Sequence, residues 1–517
     1  MTTQSLKLDH ALQFVMPPMV DGKPGKLPSV EWGLVPSKTL AATENPVNTT
    51  LGWDTVFAVP VTKVNQHFAQ SNLYPKDFTG SYSGKLFTVT ISGNFGPWTI
   101  ALGGSGALIN LSIPVASGTM KATSNYDLQG ATLVVQVRLN YLPQPSQGTK
   151  GTPNQLKVAD KPFRPGDPAA LVVDLTIPNQ TDPTVINAAI GAFQDFFDKN
   201  LARITHVFNT ANLNAVADQA AFQWLKPTTT NYAYFDAPSL DRAVFGVLCM
   251  VNNNSSGTNS NEIAAGAIPT RSGITTDSGF SLNSQLFMRE MVLPAMAASF
   301  SANNKNAKID QSYFKIQHND TEIVNAKNIP LATVVYAKTS YYPECTSLRV
   351  TLQANELVVY TKFHVNISAG IDAYTEQTSY FTPGLKTGSD GKQYLDFEKA
   401  GASDPHSWSE LSGGVEITDI LIGIIGAVIG IIVGAVGQTL GYIIAGILIA
   451  ITAGILAAVP FLIELVQANG VIGNIPPISD LVVSATNDIQ WSGGQAFNLG
   501  FVQLNGTLQM AGTAFPS

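Results

Sequence analysis

Charged side chains disappear from this chain between Ile420 and Ile463, a run in which eight residues are glycine and most of the others are Ile, Val, Leu or Ala. So apolar a stretch must be hidden from water. As one helix rising about 1.5 Å per residue it would be on the order of 66 Å long, whereas about twenty apolar residues cross a bilayer. Two arrangements satisfy this. One is a membrane hairpin turning near Gly437, Gln438 and Thr439; the other is a long buried helix, straight or broken, sheathed by an equally apolar surface.

The glycines keep helical register. Gly423, Gly426, Gly430, Gly434, Gly437 and Gly441 follow at steps of three or four, drawing a stripe without side chains along one face. Such a stripe admits a second backbone or an acyl chain, and burial must offset the roughly 1 kcal/mol that each glycine costs a solvated helix. Ala445, Gly446, Ala450 and Gly454 continue the small-residue pattern.

Upstream, alternation with period two dominates. Residues 52–61 read as a strand running into a helix over 62–70, and 85–92, 98–101, 107–115 and 132–141 read as strands of an antiparallel meander. A polar connection over 143–161 and a strand over 171–177 follow. Asp182 as N-cap and Pro183 at the first helical position then open a helix to about 204, with Ile186, Ile190, Phe193, Phe197, Leu201 and Ile204 on its inward face. The same order recurs in the second half: a strand over 280–286 leads into a helix over 287–296. Strands near 313–317, 333–338, 347–352, 357–367 and 376–381 precede the apolar segment 419–467, and strands resume at 480–484 and 496–510. The recurrence at roughly 225 residues predicts two related halves, although identity between them is slight. The predicted fold is α+β, with halves 1–240 and 241–517 and a boundary between about 228 and 257.

Charge refines the choice for the apolar segment. The net charge is -7, and all of that excess falls in the tail: 400–517 holds seven acidic residues and no Lys or Arg, while 1–399 balances at 29 of each sign. No positive-inside signal brackets the segment, which favours a sheathed helix over a permanent span. At neutral pH such a tail is repelled by anionic lipid, and acid relaxes the repulsion, so triggered membrane insertion stands as the alternative. A balanced first part gives no basic stripe, and nucleic acid is not an expected partner. The N-terminus, with Lys7, Asp9 and His10, has no apolar signal region, so any export is expected by lysis or a non-classical route.

Catalytic patterns are missing. There is no H-E-x-x-H, P-loop or paired C-x-x-C; Gly103 to Ala107 fails G-x-S-x-G at its last position, and six histidines are dispersed without ligand spacing. Cys249 and Cys345 read as two buried thiols. No catalytic residue, metal ligand or cofactor is assigned. The aromatic residues, Phe193 and Phe197 among them, either line a lipid tunnel or fill a core.

Two motifs carry a resemblance. Leu51-Gly52-Trp53-Asp54-Thr55-Val56-Phe57-Ala58-Val59 with Val64-Asn65, and Ser284-Gln285-Leu286-Phe287 with Met291-Val292-Leu293-Pro294, resemble the OrfX-type proteins and their forty-seven-kilodalton companion, encoded beside clostridial neurotoxins. The resemblance implies a tubular lipid-binding fold, in which curved antiparallel sheets wrap long helices, and a non-enzymatic role as an accessory of bacterial, often insect-directed, toxins. It implies lipids or other apolar ligands as partners, other toxin-cluster proteins beside them, and allows membrane contact. On this reading Gly426, Gly430, Gly434, Gly437, Gly441, Phe193 and Phe197 line the hydrophobic channel. The alternative is a pore-forming component that inserts a hairpin of residues 420–463.

Overall fold

The strand that follows Trp53-Asp54 forms the centre of the molecule. The computed structural model describes residues 48–83, 88–145, 151–161, 168–217, 220–304, 307–353, 355–400, 405–411, 419–454 and 476–516. Thr55–Pro60 is buried on both faces, which suits its run of Val, Phe and Ala without polar alternation. It lies third in a six-stranded antiparallel sheet ordered Pro227–Phe235, Val244–Val251, Thr55–Pro60, Ser278–Leu282, Leu508–Thr513, Asn498–Leu504. Each half of that sheet is thus one single strand and one hairpin. The order reads the same from either edge.

The register makes that symmetry concrete. Phe57 pairs with Phe280, 223 positions later (280 minus 57), and Thr55 pairs with Leu282, so a local two-fold passes through the Phe57–Phe280 pair. Their rings meet edge-on at 6.4 Å. Asp54 and Asp277 are also 223 apart and play matching parts. The Asp54 N–H donates to Cys249 O (3.0 Å) and that of Asp277 to Gly512 O (2.8 Å). Asp54 Oδ2 accepts from the Val251 N–H at 2.9 Å, and Asp277 Oδ1 from the Ala514 N–H at 2.7 Å. Asp54 further accepts from the side chains of Asn254 and Asn283, and Asn283 Oδ1 in turn caps the helix it opens by accepting from the Leu286 N–H. A carboxylate holding several donors beside a sheet end is a buried charge with its partners in place.

After Pro60 the chain enters helix α1 (Val61–Ser71), whose Val61, Val64, Asn65 and Phe68 are buried. Asn65 clamps residue 100 both ways, donating to Ile100 O (2.8 Å) and accepting from its N–H (2.6 Å). The first arm is a curved antiparallel sheet ordered Asp77–Ser83, Thr88–Phe95, Leu108–Lys121, Thr132–Pro143, Thr152–Val158, Asn209–Leu213, Ile489–Trp491. Helix α2 (Pro183–Asn200) packs on Asp77–Ser83, Thr88–Phe95 and Ala170–Thr176, started by Asp182, whose side chain accepts from the Thr184 N–H.

The second arm repeats the plan. Ser278–Leu282 feeds α3 (Ser284–Leu286), a π-helical turn over Phe287–Val292 and α4 (Leu293–Asn303), one after another. A sheet ordered Phe314–Gln317, Glu322–Asn325, Glu344–Leu352, Leu357–Ser368, Ile371–Thr387, Gln393–Ala400 follows, with His406–Leu411 also on Ile371–Thr387. Helix α5 (Asp419–Ala453) packs on α4 and on the last three strands of the main ladder, and α6 (Ser479–Thr486) leads back to the central hairpin.

Four expectations need correction. Residues 480–484 are helical, not a strand, because Leu481, Val482 and Ala485 place one buried face at helical spacing. The polar connection 143–161 contains the strand Thr152–Val158. The inward face of α2 is Ala188, Ala189, Ala192, Phe193, Phe196 and Phe197, so Ile186 and Ile190 are only half-buried: small alanines let the helix approach the sheet where isoleucines would hold it off. The turn near Gly437, Gln438 and Thr439 does not exist. Helix α5 runs through it unbroken and ends at Gly454, whose φ of +81° suits a residue without Cβ. Residues 455–467 of the predicted apolar segment lie outside the described residues. The division expected at residue 240 falls between two neighbouring strands of the central sheet.

Candidate apolar-ligand site

Helix α5 divides into two stretches with different surroundings. From Ile443 to Thr452 every residue is buried. The contact with α4 is made there largely by small side chains, with Ala298 and Ala302 against Ala445, Ile449 and Ala453. Ser299 Oγ donates to Tyr442 O at 2.8 Å across this contact. Close helix packing therefore uses the alanines. In the preceding stretch the buried residues are Ile425, Val428, Ile429, Ile432, Val436, Thr439 and Leu440, one stripe at helical spacing.

The glycines lie on the opposite side. A Cβ placed on Gly430, Gly434, Gly437 or Gly441 meets no heavy atom within 4 Å, and Gly434 and Gly437 are exposed; Gly426 is half-buried. Of the two approaches that such a stripe admits, a second backbone is not found at Gly430, Gly434, Gly437 or Gly441. Ile and Val bury far more apolar area than glycine, so they take the core side and leave the glycines outward. The outcome is a helix face of Ala427, Gly430, Ile431, Gly434, Ala435 and Gln438, open and without a formal charge. Gly423–Ala453 has a mean hydropathy of 2.0 and is 39% buried over its most apolar window, so length and composition alone would let it cross a bilayer.

Phe193 and Phe197 belong to the other arm and do not meet the glycines. They sit among Phe78, Phe95, Trp98 and Phe196, with ring centroids 5.1 Å (Phe78–Phe193), 5.6 Å (Phe95–Phe196) and 6.0 Å (Trp98–Phe197) apart. All six are 5% exposed or less. This is a packed aromatic core, stabilised by edge-on and offset contacts.

Two clefts flank the central sheet. One, of about 300 Å³, is lined by Asp54, Asn254, Asn283, Gln285 and Arg289 among others, and its Asp54 is already engaged by the hydrogen bonds above. The other, of about 450 Å³, lies over Phe57, the residue on the local two-fold, with Trp491 and Phe497 beside it. Sequence reasoning found neither. A repeated Asp-Ser/Thr-x-Phe at 54–57 and 277–280 was the signal available for the first, and it marks the strand pair that both clefts border.

Ionisable groups are scattered. Among the described residues no three His, Cys, Asp or Glu side chains are placed to hold a metal ion. The thiols of Cys249 and Cys345 are free, in different sheets, and burial pushes each up to about 12, so both stay protonated. His206 is buried against Phe68 and Phe208 with neither ring nitrogen partnered; desolvation, with His67 nearby, lowers its pKa to about 4.

Two sheet-lined arms, each with a long helix, on a shared central sheet with local two-fold symmetry define a class of α+β protein, here with one apolar helix face left open. The chain belongs to the OrfX-like family: the family described as "Protein OrfX2/OrfX3/P47" matches residues 50–512. It is 25% identical over 504 residues to OrfX3 of Clostridium botulinum (strain Kyoto / Type A2), covering 90% of this chain and 98% of that one. OrfX3 of Paraclostridium bifermentans is 24% identical over 503 residues, with the same coverage. The solved structure of P47 from Clostridium botulinum A2 superposes with a TM-score of 0.60 at 17% identity, covering 90% of this chain and 99% of P47, which supports the same fold. The chain is thus placed among the clostridial toxin-cluster proteins.

Proposed function

We propose that this protein is a non-enzymatic accessory of a bacterial, insect-directed toxin system that binds lipid or another apolar ligand through the open face of α5, in a fold of the tubular lipid-binding kind. The observation that carries this reading is the outward glycine stripe. Glycine is unfavourable in a solvated helix by roughly 1 kcal/mol relative to Ala, and an uncharged face several turns long is costly to leave in water. An acyl chain or a bilayer surface accounts for both. Toxin-cluster proteins are the expected protein partners. The hairpin-insertion alternative loses its turn, because α5 is continuous through Gly437, Gln438 and Thr439.

Native mass spectrometry of gently purified protein, with transfer of phosphatidylcholine between liposomes, tests the reading. Bound lipid and measurable transfer are expected for the parent, with both lost in Gly434→Glu, a change made into open space. Bare polypeptide and no transfer in the parent would contradict the proposal.

A further inference from the structure

The midline cleft has a feature that α5 does not, an orphaned donor on Trp491, one of its lining residues. Trp491 and Asn209 occupy directly opposed positions on neighbouring antiparallel strands, so their side chains project from the same face. Both are more than nine-tenths buried, and neither Trp491 Nε1 nor Asn209 Nδ2 has an acceptor. The Asn209 amide is oriented by Tyr141, whose hydroxyl donates to Asn209 Oδ1 at 2.7 Å, and burial raises the Tyr141 pKa so that this donor keeps its proton. Each residue of the pair thus carries a buried N–H donor without an acceptor, and of the two only Trp491 lines the cleft. A buried donor left without an acceptor is costly, and its usual remedy is an oxygen supplied from elsewhere.

The cleft at Trp491 has a floor of Phe57, Trp491 and Phe497, all buried, and an exposed rim of Asn487, Gln490 and Gln495. None of its lining residues is charged. An anion finds no cation there and a cation no carboxylate. The aromatic floor favours a short apolar group, while the amide rim offers donors and acceptors to a neutral polar end.

We propose that this cleft binds a neutral amphiphile of the acyl-ester type, with its carbonyl oxygen accepting from Trp491 Nε1, its apolar chain over Phe57 and Phe497, and its hydroxyls on the rim amides. The site is separate from the α5 face and does not depend on it. A carbonyl oxygen only accepts, which matches an indole N–H that only donates.

The test uses the full chain labelled with ¹⁵N at tryptophan indoles, and 1-monooctanoylglycerol below its micellar concentration as the probe. The Trp491 indole resonance, assigned through Trp491→Phe, is expected to move downfield and saturate. Trp98 is the internal control: its Nε1 also lacks an acceptor but sits in the packed aromatic core, and its resonance should stay in place. Sodium octanoate should bind at least tenfold more weakly than the ester. Trp491→Phe should weaken the ester about tenfold, the loss of one hydrogen bond. Ala496→Trp, made at an exposed rim position, should block it. A Trp491 resonance that ignores the ester, octanoate binding as well as the ester, or Trp491→Phe binding as tightly as the parent would overturn the proposal and assign the indole donor to a buried water only. Gly434→Glu should leave the Trp491 shift intact, so failure of the α5 reading and failure of this one are told apart.

Discussion

At the residue scale, the buried polar groups set both stability and its pH dependence. Asp54 accepts three hydrogen bonds from Val251, Asn254 and Asn283, and Asp54→Ala leaves those donors buried and unpaired. A loss of about 3 kcal/mol in urea unfolding is expected. His206 gives a pH signature with a definite sign. Its pKa falls from 6.5 to about 4 on folding, chiefly by desolvation, so the unfolded chain binds more protons between those values. Its contribution is fully present above pH 6.5 and is lost as pH falls toward 4. His206→Leu should therefore lose about 2 kcal/mol less than the parent between about pH 7.5 and about pH 4.5, measured by denaturation at both. Equal losses would show that the His206 ring finds a partner in the folded protein. Little of this is readable in the sequence alone. Asp54 is visible as part of a motif, but its role depends on Val251 and Asn283, 197 and 229 residues away.

At the element scale, α5 was legible as a helix and its orientation was not. Absence of charge and spacing of glycine are local properties, and they located Asp419–Ala453. Which face turns inward is decided by the sheet, and the Ile and Val stripe competes for it successfully because it buries more area. Gly430→Ala with Gly434→Ala should then raise stability by up to about 1 kcal/mol per site, because neither methyl meets an atom. A lower midpoint in thermal or urea unfolding would place another surface against the stripe. Helix α2 teaches the same point. Its start at Asp182 and Pro183 was readable from local chemistry, whereas its rotation onto Ala188, Ala189 and Ala192 depended on the strands beneath.

At the scale of the whole molecule, the two arms share one sheet and a buried ion pair. Lys226 Nζ lies 2.7 Å from Asp488 Oδ2, with side chains 6% and 10% exposed, joining the first half to the end of the second. Breaking such a pair leaves one charge buried, so Asp488→Ala is expected to cost about 3 to 5 kcal/mol, and Lys226→Met in the same chain should recover part of the loss in a double-mutant cycle. Additive losses would show the pair to be uncoupled. The recurrence of strand, helix, meander and long helix was visible in the sequence. The palindromic sheet was not, because its strands are short and lie far apart along the chain.

The claim at the centre of this account is that the open face of α5 contacts lipid. Both native cysteines are buried, so a single exposed cysteine can be labelled selectively. Gly434→Cys carrying nitrobenzoxadiazole should brighten and shift to the blue on mixing with phosphatidylcholine vesicles. The same dye at Val216→Cys, 64% exposed in the other half, should not change. Emission at 434 that stays as in water with vesicles present would contradict the account.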